Sequence, residues 1–306
     1  MAVTAARRML LVHAHPDDES IGNGATMARY AAEGAQVTLV TCTRGEQGEI
    51  IPADLAHLAA DQDGGLGEYR VGELAAAMAA LGVRDHRFLD AVPGFGPIHY
   101  RDSGMAYGPN REVIPLPDPP ADAFALADLD GAAARLAAVI REVHPQVVIA
   151  YEPGGGYGHP DHVQAHRVAM RAVDLAEQPG PGGNAWRVPK LYWTAVPAGA
   201  MRAAIEAMAA DGYNPFADWD TDQLPSMAIP DELVTTVVDG IDYFEAKAAA
   251  MRAHASQISV DSPFFALSNG IGRPMMATEF YRLVRGEPAG ERGPEGREID
   301  LFAGVA

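Results

Sequence analysis

Apolar positions along this chain fall into two alternating rhythms. Residues 8–14, RMLLVHA, and 37–42, VTLVTC, are short and almost continuously apolar, and Gly34 stands where a helix between them would need a left-handed stop. Together they predict a strand–helix–strand unit. In 69–81, YRVGELAAAMAAL, the residues Val71, Leu74, Met78 and Leu81 recur at helical spacing, and Gly82 ends the pattern. A short strand, HRFL at 86–89, follows. The helical rhythm returns over 131–143 with Leu136, Val139, Ile140 and Val143, after Asp130 as the expected N-cap, and leads into the strand QVVIAY at 146–151. Strands that are apolar at nearly every position, alternating with amphipathic helices, predict a mostly parallel sheet covered on both faces. The fold class expected is therefore α/β: a Rossmann-like, mostly parallel sheet flanked by helices.

Beyond 185 the pattern is more mixed: LYWTAV at 191–196, an alanine-rich helix near 201–210, VTTVV at 234–238 and a helix near 242–254. This predicts a core over 1–184 that carries the chemistry and a smaller mixed C-terminal extension over 185–306 that completes the cleft. The segments 44–68 and 91–125, rich in Gly, Pro and Asp, read as long loops, and loops of that length in a compact domain are usually functional. The stretch 285–298, RGEPAGERGPEGRE, reads as loose.

Composition narrows the chemistry. Although 48% of the 306 residues are hydrophobic, no run approaches the roughly 18 apolar residues that a membrane span requires, so no membrane association is expected. The N-terminal Arg7, Arg8 and the apolar run after them lead straight into charged residues without a cleavage site, so they read as a first strand, with the cytoplasm as the expected location. A formal net charge of −18 and the lack of any basic run argue against a nucleic-acid partner. The single Cys42 excludes an internal disulfide and any multi-cysteine metal site, so a bound metal would be held by His and carboxylates.

Two segments offer such ligands, each directly after a predicted strand. In HAHPDDES, residues 13–20, His15 and Asp18 lie three apart on a strand-to-helix turn, which can aim an imidazole and a carboxylate at one point. In isolation, the acids here could simply favour the helix N-terminus, with Ser20 as cap. In YEPGGGYGHPDHVQAH, residues 151–166, Pro160 suits the first turn of a helix and His162 would project from that turn toward the same sheet edge. Open α/β sheets bind ligands at the carboxyl ends of their strands, so the two loops together imply one site. His15, Asp18 and His162 would ligate a divalent metal, and Asp17 would act as base on a water that the metal acidifies. His159 and Tyr157 are the candidate oxyanion donors, His159 also a candidate to protonate a leaving amine, and Asp161 a partner that orients a histidine. His13 and His166 read as packed histidines. Zinc, one ion per subunit, is the expected cofactor, and a His/Asp set also accepts iron(II).

HPDDES and GYGHPDH, about 140 residues apart and each after a strand, resemble the PIG-L/LmbE-type N-acetylglucosamine deacetylases, Rossmann-like zinc enzymes. The resemblance extends to TCTRGEQGE at 41–49, YRVGEL at 69–74, RDSGM at 101–105, HASQ at 254–257 and ALSNG at 266–270, and is weakest over 107–130, 175–190 and 210–232. Within the family these segments resemble enzymes of mycothiol biosynthesis. The resemblance implies a small amino-sugar substrate, N-acetylglucosaminyl inositol, hydrolysed to the free amine and acetate. It assigns the metal to His15, Asp18 and His162 and base work to Asp17, and it implies substrate contacts from Arg70, Asp102, Glu49 and Asn269. A related branch, the amidases that cleave mycothiol S-conjugates, carries a lysine shortly after HPDDES, where this chain reads IGNG at 21–24; Gly22 also stands where close deacetylases carry a serine. A sugar-binding module without turnover is the reading from a different class, and it would need neither metal nor base. The oligomeric state has no signature in the sequence.

Overall fold

A computed structural model describes residues 6–110, 112–210, 228–270, 272–293 and 295–305, with backbone alone for 207–210. Residues 1–5, where the N-terminal lead begins, and 211–227, most of the last weak stretch of the resemblance, lie outside the described residues.

The predicted alternation is present. Strand β1 (Arg8–His13) is followed by helix α1 (Asp18–Ala32), β2 (Gln36–Thr41), α2 (Leu66–Ala80), β3 (Asp85–Phe88), α3 (Leu129–Val143), β4 (Val147–Ala150) and α4 (Pro160–Ala176). Then come β5 (Lys190–Pro197), α5 (Ala198–Ala210), β6 (Thr236–Asp239), α6 (Phe244–Ala253) and β7 (Thr278–Arg285). One sheet runs in the order β3-β2-β1-β4-β5-β7-β6, with the short strand Ala228–Ile229 paired to β5. The pairs from β3 through β5 are parallel, whereas β7 runs antiparallel to both of its neighbours. Strands β5, β7 and β6 and the short strand Ala228–Ile229, all from beyond residue 185, thus extend the sheet begun by the N-terminal half.

Successive side chains of β1 point to opposite faces, so a strand buried on both sides must be apolar throughout. Leu10 and Val12 enter a core with α3 and α4, while Met9 and Leu11 enter a second core with α1 and α2. Burying each large aliphatic of this kind contributes roughly 1.5–3 kcal/mol. Gly34 and Gly82 both adopt positive φ, as the predicted helix stops require.

Two expectations change. Asp128, not Asp130, caps α3: its carboxylate accepts the Gly131 N–H at 2.7 Å, while Asp130 lies in the first turn and pairs with Arg171. The predicted loose stretch is anchored at its end, because Glu298 is fully buried and accepts from Lys190 (2.7 Å), Thr236 (2.9 Å) and Tyr192 (3.2 Å). Leu301 and Phe302 then enter the core, anchoring what composition alone marks as low in complexity.

Strand order reverses between β1 and β4, which leaves a crevice at their carboxyl ends. Both predicted motifs open on that crevice.

Candidate active site

The chain leaves β1 through His13 and turns sharply at Asp17, whose φ of 120° is rare for a residue with a side chain. Such a conformation costs about 1–3 kcal/mol and persists only where the surroundings enforce it. The turn brings Asp18, the first residue of α1, back under His15. From the other side of the crevice, Gly155 at positive φ lies so close to His162 that an added Cβ would sit 2.6 Å from the His162 Cβ. Only glycine allows that approach.

Three donor atoms meet there. His15 Nδ1 lies 3.3 Å from Asp18 Oδ2, His162 Nε2 lies 3.3 Å from the same oxygen, and the two imidazole nitrogens are 3.3 Å apart. A tetrahedral ion with bonds of about 2.0–2.1 Å requires ligand atoms about 3.3–3.4 Å apart, so this triangle fits one. The far nitrogens are also fixed. His162 Nδ1 donates to the Gly155 carbonyl (3.0 Å) and His15 Nε2 to Asp161 (3.2 Å), which leaves the facing nitrogens as lone-pair donors. Asp161 is fully buried and is itself held by the N–H and hydroxyl of Ser103. The electrostatics favour a cation. Burial alone would lower the His15 pKa, but Asp102, Asp161 and Asp18 outweigh it and hold it well above the ordinary value. Burial would likewise raise the Asp18 carboxyl, but His162 and His15 hold it well below.

Around the triangle stand the other predicted residues. Burial pushes the Asp17 carboxyl up to about 6 against the pull of Arg70. His159 caps α4, its Nδ1 accepting the Asp161 N–H at 3.1 Å, so the ring carries its proton on Nε2. Burial first, then the neighbouring His15 and His162, push its pKa down to about 2, so the ring is neutral near pH 7. A neutral ring with a free Nε2–H suits donation to an oxyanion better than proton delivery to an amine. A His159 nitrogen also lies within 4.8 Å of nitrogens of His15 and His162. Tyr157 stands edge-on to His162 at 4.9 Å between ring centroids and is 38% exposed, at the mouth of the crevice.

The residues expected to touch substrate divide. Asp102 is buried and lies 3.5 Å from His15 Nε2, accepting the backbone N–H groups of Gln47 and Gly104. Glu49 is exposed and accepts the Ser268 hydroxyl at 2.5 Å, bridging the 44–68 loop to the C-terminal part. Arg70 is 2% exposed and donates to the carbonyls of Gly45 (2.7 Å) and Pro16 and to Asp17 Oδ2 at 3.0 Å. Its hydrogen bonds thus hold the Pro16–Asp17 turn. His13 and His166 are packed, as expected: His13 Nδ1 pairs with the Tyr151 hydroxyl (3.1 Å) and His166 Nδ1 with the Tyr151 carbonyl (2.8 Å). Sequence reasoning missed Ser103, Glu19 and His254. HPDDES and HASQ contain two of these, and nothing local marks them as a pair.

Fold and site together define a metal-dependent hydrolase of the Rossmann-like class. The chain belongs to the PIG-L family, GlcNAc-PI de-N-acetylase, whose family model matches residues 10–173. It is 58% identical over 309 residues to the 1D-myo-inositol 2-acetamido-2-deoxy-alpha-D-glucopyranoside deacetylase of Geodermatophilus obscurus, covering 99% of both chains. It is 55% identical over 305 residues to the protein of the same name from Streptomyces avermitilis, covering 98% of each. Among solved structures, N,N'-diacetylchitobiose deacetylase from Pyrococcus horikoshii shares the fold with a TM-score of 0.53 at 20% identity, over 92% of this chain and 85% of that one. The 4-carboxy-2-hydroxymuconate hydratase of Pseudomonas putida matches with a TM-score of 0.56 at 19% identity, over 94% of this chain and 100% of that one. One fold therefore hosts different reactions, and function must be argued from the site.

Proposed function

We propose that the protein hydrolyses the acetamide of 1D-myo-inositol 2-acetamido-2-deoxy-α-D-glucopyranoside to acetate and the free amine, a step of mycothiol biosynthesis in the cytoplasm. The observation that carries this reading is the 3.3 Å triangle of His15, Asp18 and His162 beside a carboxylate, Asp17, that is not part of it. The full-length likeness to relatives named for this reaction supplies the substrate.

In this reading His15, Asp18 and His162 hold one divalent ion per subunit, zinc by preference and iron(II) as an accommodated substitute. When bound, it supplies Lewis acidity to the acetamide carbonyl and acidifies water. Asp17 takes a proton from water as the oxygen attacks the carbonyl carbon. The oxyanion that develops accepts the His159 Nε2–H, with the Tyr157 hydroxyl as a second donor from the mouth. Asp17, now protonated, returns its proton to the nitrogen as the C–N bond breaks. The carbonyl product forms as acetic acid, whose proton passes to the released primary amine, so that acetate and the ammonium form of the sugar leave. Arg70 holds Asp17 through the turn, while Asp102 and Glu49 face the sugar and inositol. Residues 1–184 carry the reacting groups and residues 185–306 complete the cleft, a division supported by the Glu49–Ser268 contact across it.

The test is a paired product assay with the purified protein, following acetate and primary amine from N-acetylglucosaminyl inositol and amide cleavage of a bulky mycothiol S-conjugate. Acetate and amine released in equal amounts, with the disaccharide preferred in kcat/KM, are expected. Preference for the conjugate would assign the chain to the amidase reaction, and binding of the sugar without either product would make it a non-catalytic module.

A further inference from the structure

Glu19 has no part in the reaction described above. It is fully buried, and its carboxylate meets the backbone of the base: Oε2 accepts the Asp17 N–H at 2.9 Å. Oε1 accepts the Ser20 hydroxyl at 2.6 Å and His254 Nε2 at 2.7 Å. His254, also fully buried, comes from the end of α6, 235 residues away in sequence. Among the described residues its buried Nδ1 meets no hydrogen-bond partner, and the ring is oriented through Nε2. A buried histidine with one nitrogen unsatisfied and a buried carboxylate are poor choices for stability, since apolar residues of similar size often serve as well or better. What the pair does provide is an acceptor at the N–H of a residue with φ 120° and ψ −34°. Arg70 grips the same residue from the opposite end, through its carboxylate and the Pro16 carbonyl.

We propose that Glu19 and His254 are positioning residues for Asp17: Glu19 fixes the strained turn that aims the base, and His254, delivered by the C-terminal part, fixes Glu19. The proposal rests on Asp17 being the base of the proposed hydrolysis. It also gives the C-terminal part a share in the reaction without contact with the reacting atoms.

The experiment compares Glu19→Gln, His254→Leu and His254→Gln with wild type, in metal-loaded protein, by kcat, KM, bound metal and thermal midpoint. Glu19→Gln and His254→Leu are expected to lower kcat by about 10- to 100-fold, the range found for groups that orient reacting residues, with KM and metal content unchanged. The amide nitrogen of Gln can take the place of Nε2, so His254→Gln is expected to recover much of what His254→Leu loses. In an Asp17→Asn background, Glu19→Gln is expected to cause no further loss of the residual rate. An unchanged kcat in Glu19→Gln, or an equal further loss in the Asp17→Asn background, would overturn the proposal. So would a fall in His254→Leu and His254→Gln that follows only their thermal midpoints. Wild type runs in the same assay; if it releases no amine, the proposed reaction fails rather than the positioning role.

Discussion

Asp17→Asn lowers kcat by about 10²- to 10⁴-fold, the usual contribution of a positioned general base, while the protein keeps its full complement of metal. The substitution is nearly isosteric, so the turn at Asp17 keeps its shape, and the Asp17 N–H still reaches Glu19. The three donor atoms of the triangle are untouched because none belongs to Asp17. What disappears is the ability to take a proton. An amide oxygen can still accept from Arg70, so KM for the disaccharide is expected to change little. Steady-state kinetics on metal-quantified protein check this. A variant that retained wild-type kcat would remove Asp17 from the reaction.

His162→Ala has the opposite signature, losing both metal and activity. His162 supplies one corner of the triangle, and His166, one turn further along α4, is turned toward the Tyr151 carbonyl. Loss of an orienting partner alone commonly costs about 10- to 100-fold in metal affinity or activity, and loss of the ligand itself is expected to exceed that range. Metal content after dialysis, measured beside activity, separates this variant from Asp17→Asn. The thermal midpoint is measured as well, because the buried His162 ring stacks on Tyr151 at 4.4 Å between centroids. His162→Ala that kept stoichiometric metal would show that the ion is held elsewhere.

Much of the site was legible because its signals are local. A strand end, a turn and a helix start each leave marks within a few residues, and His15, Asp18 and His162 follow from placing two such junctions side by side in a parallel sheet. The same logic placed Asp17 between His15 and Asp18 and His159 at the helix start. Groups that act through distant contacts were not legible. Arg70 reads as a surface charge in a helix, and only the folded chain shows its guanidinium beneath the Pro16–Asp17 turn. Glu19 and His254 look like a helix-start acid and a loop histidine until α1 and α6 pack together. Glu298 lies in a segment whose composition suggests disorder, yet its ion pair with Lys190 ties that segment to β5. In each case the deciding partner lies far away in sequence, where periodicity and capping signals carry no information.

The proposed function requires that one ion held by His15, Asp18 and His162 enable hydrolysis by this chain's own base. Its most direct test is to strip the purified protein with a chelator and titrate zinc, and separately iron(II), back while following bound metal and free amine from N-acetylglucosaminyl inositol. Activity is expected to vanish on stripping and to return in proportion to bound metal, reaching its maximum at one ion per subunit. Full activity in metal-free protein, or a maximum that requires a second ion, would contradict it.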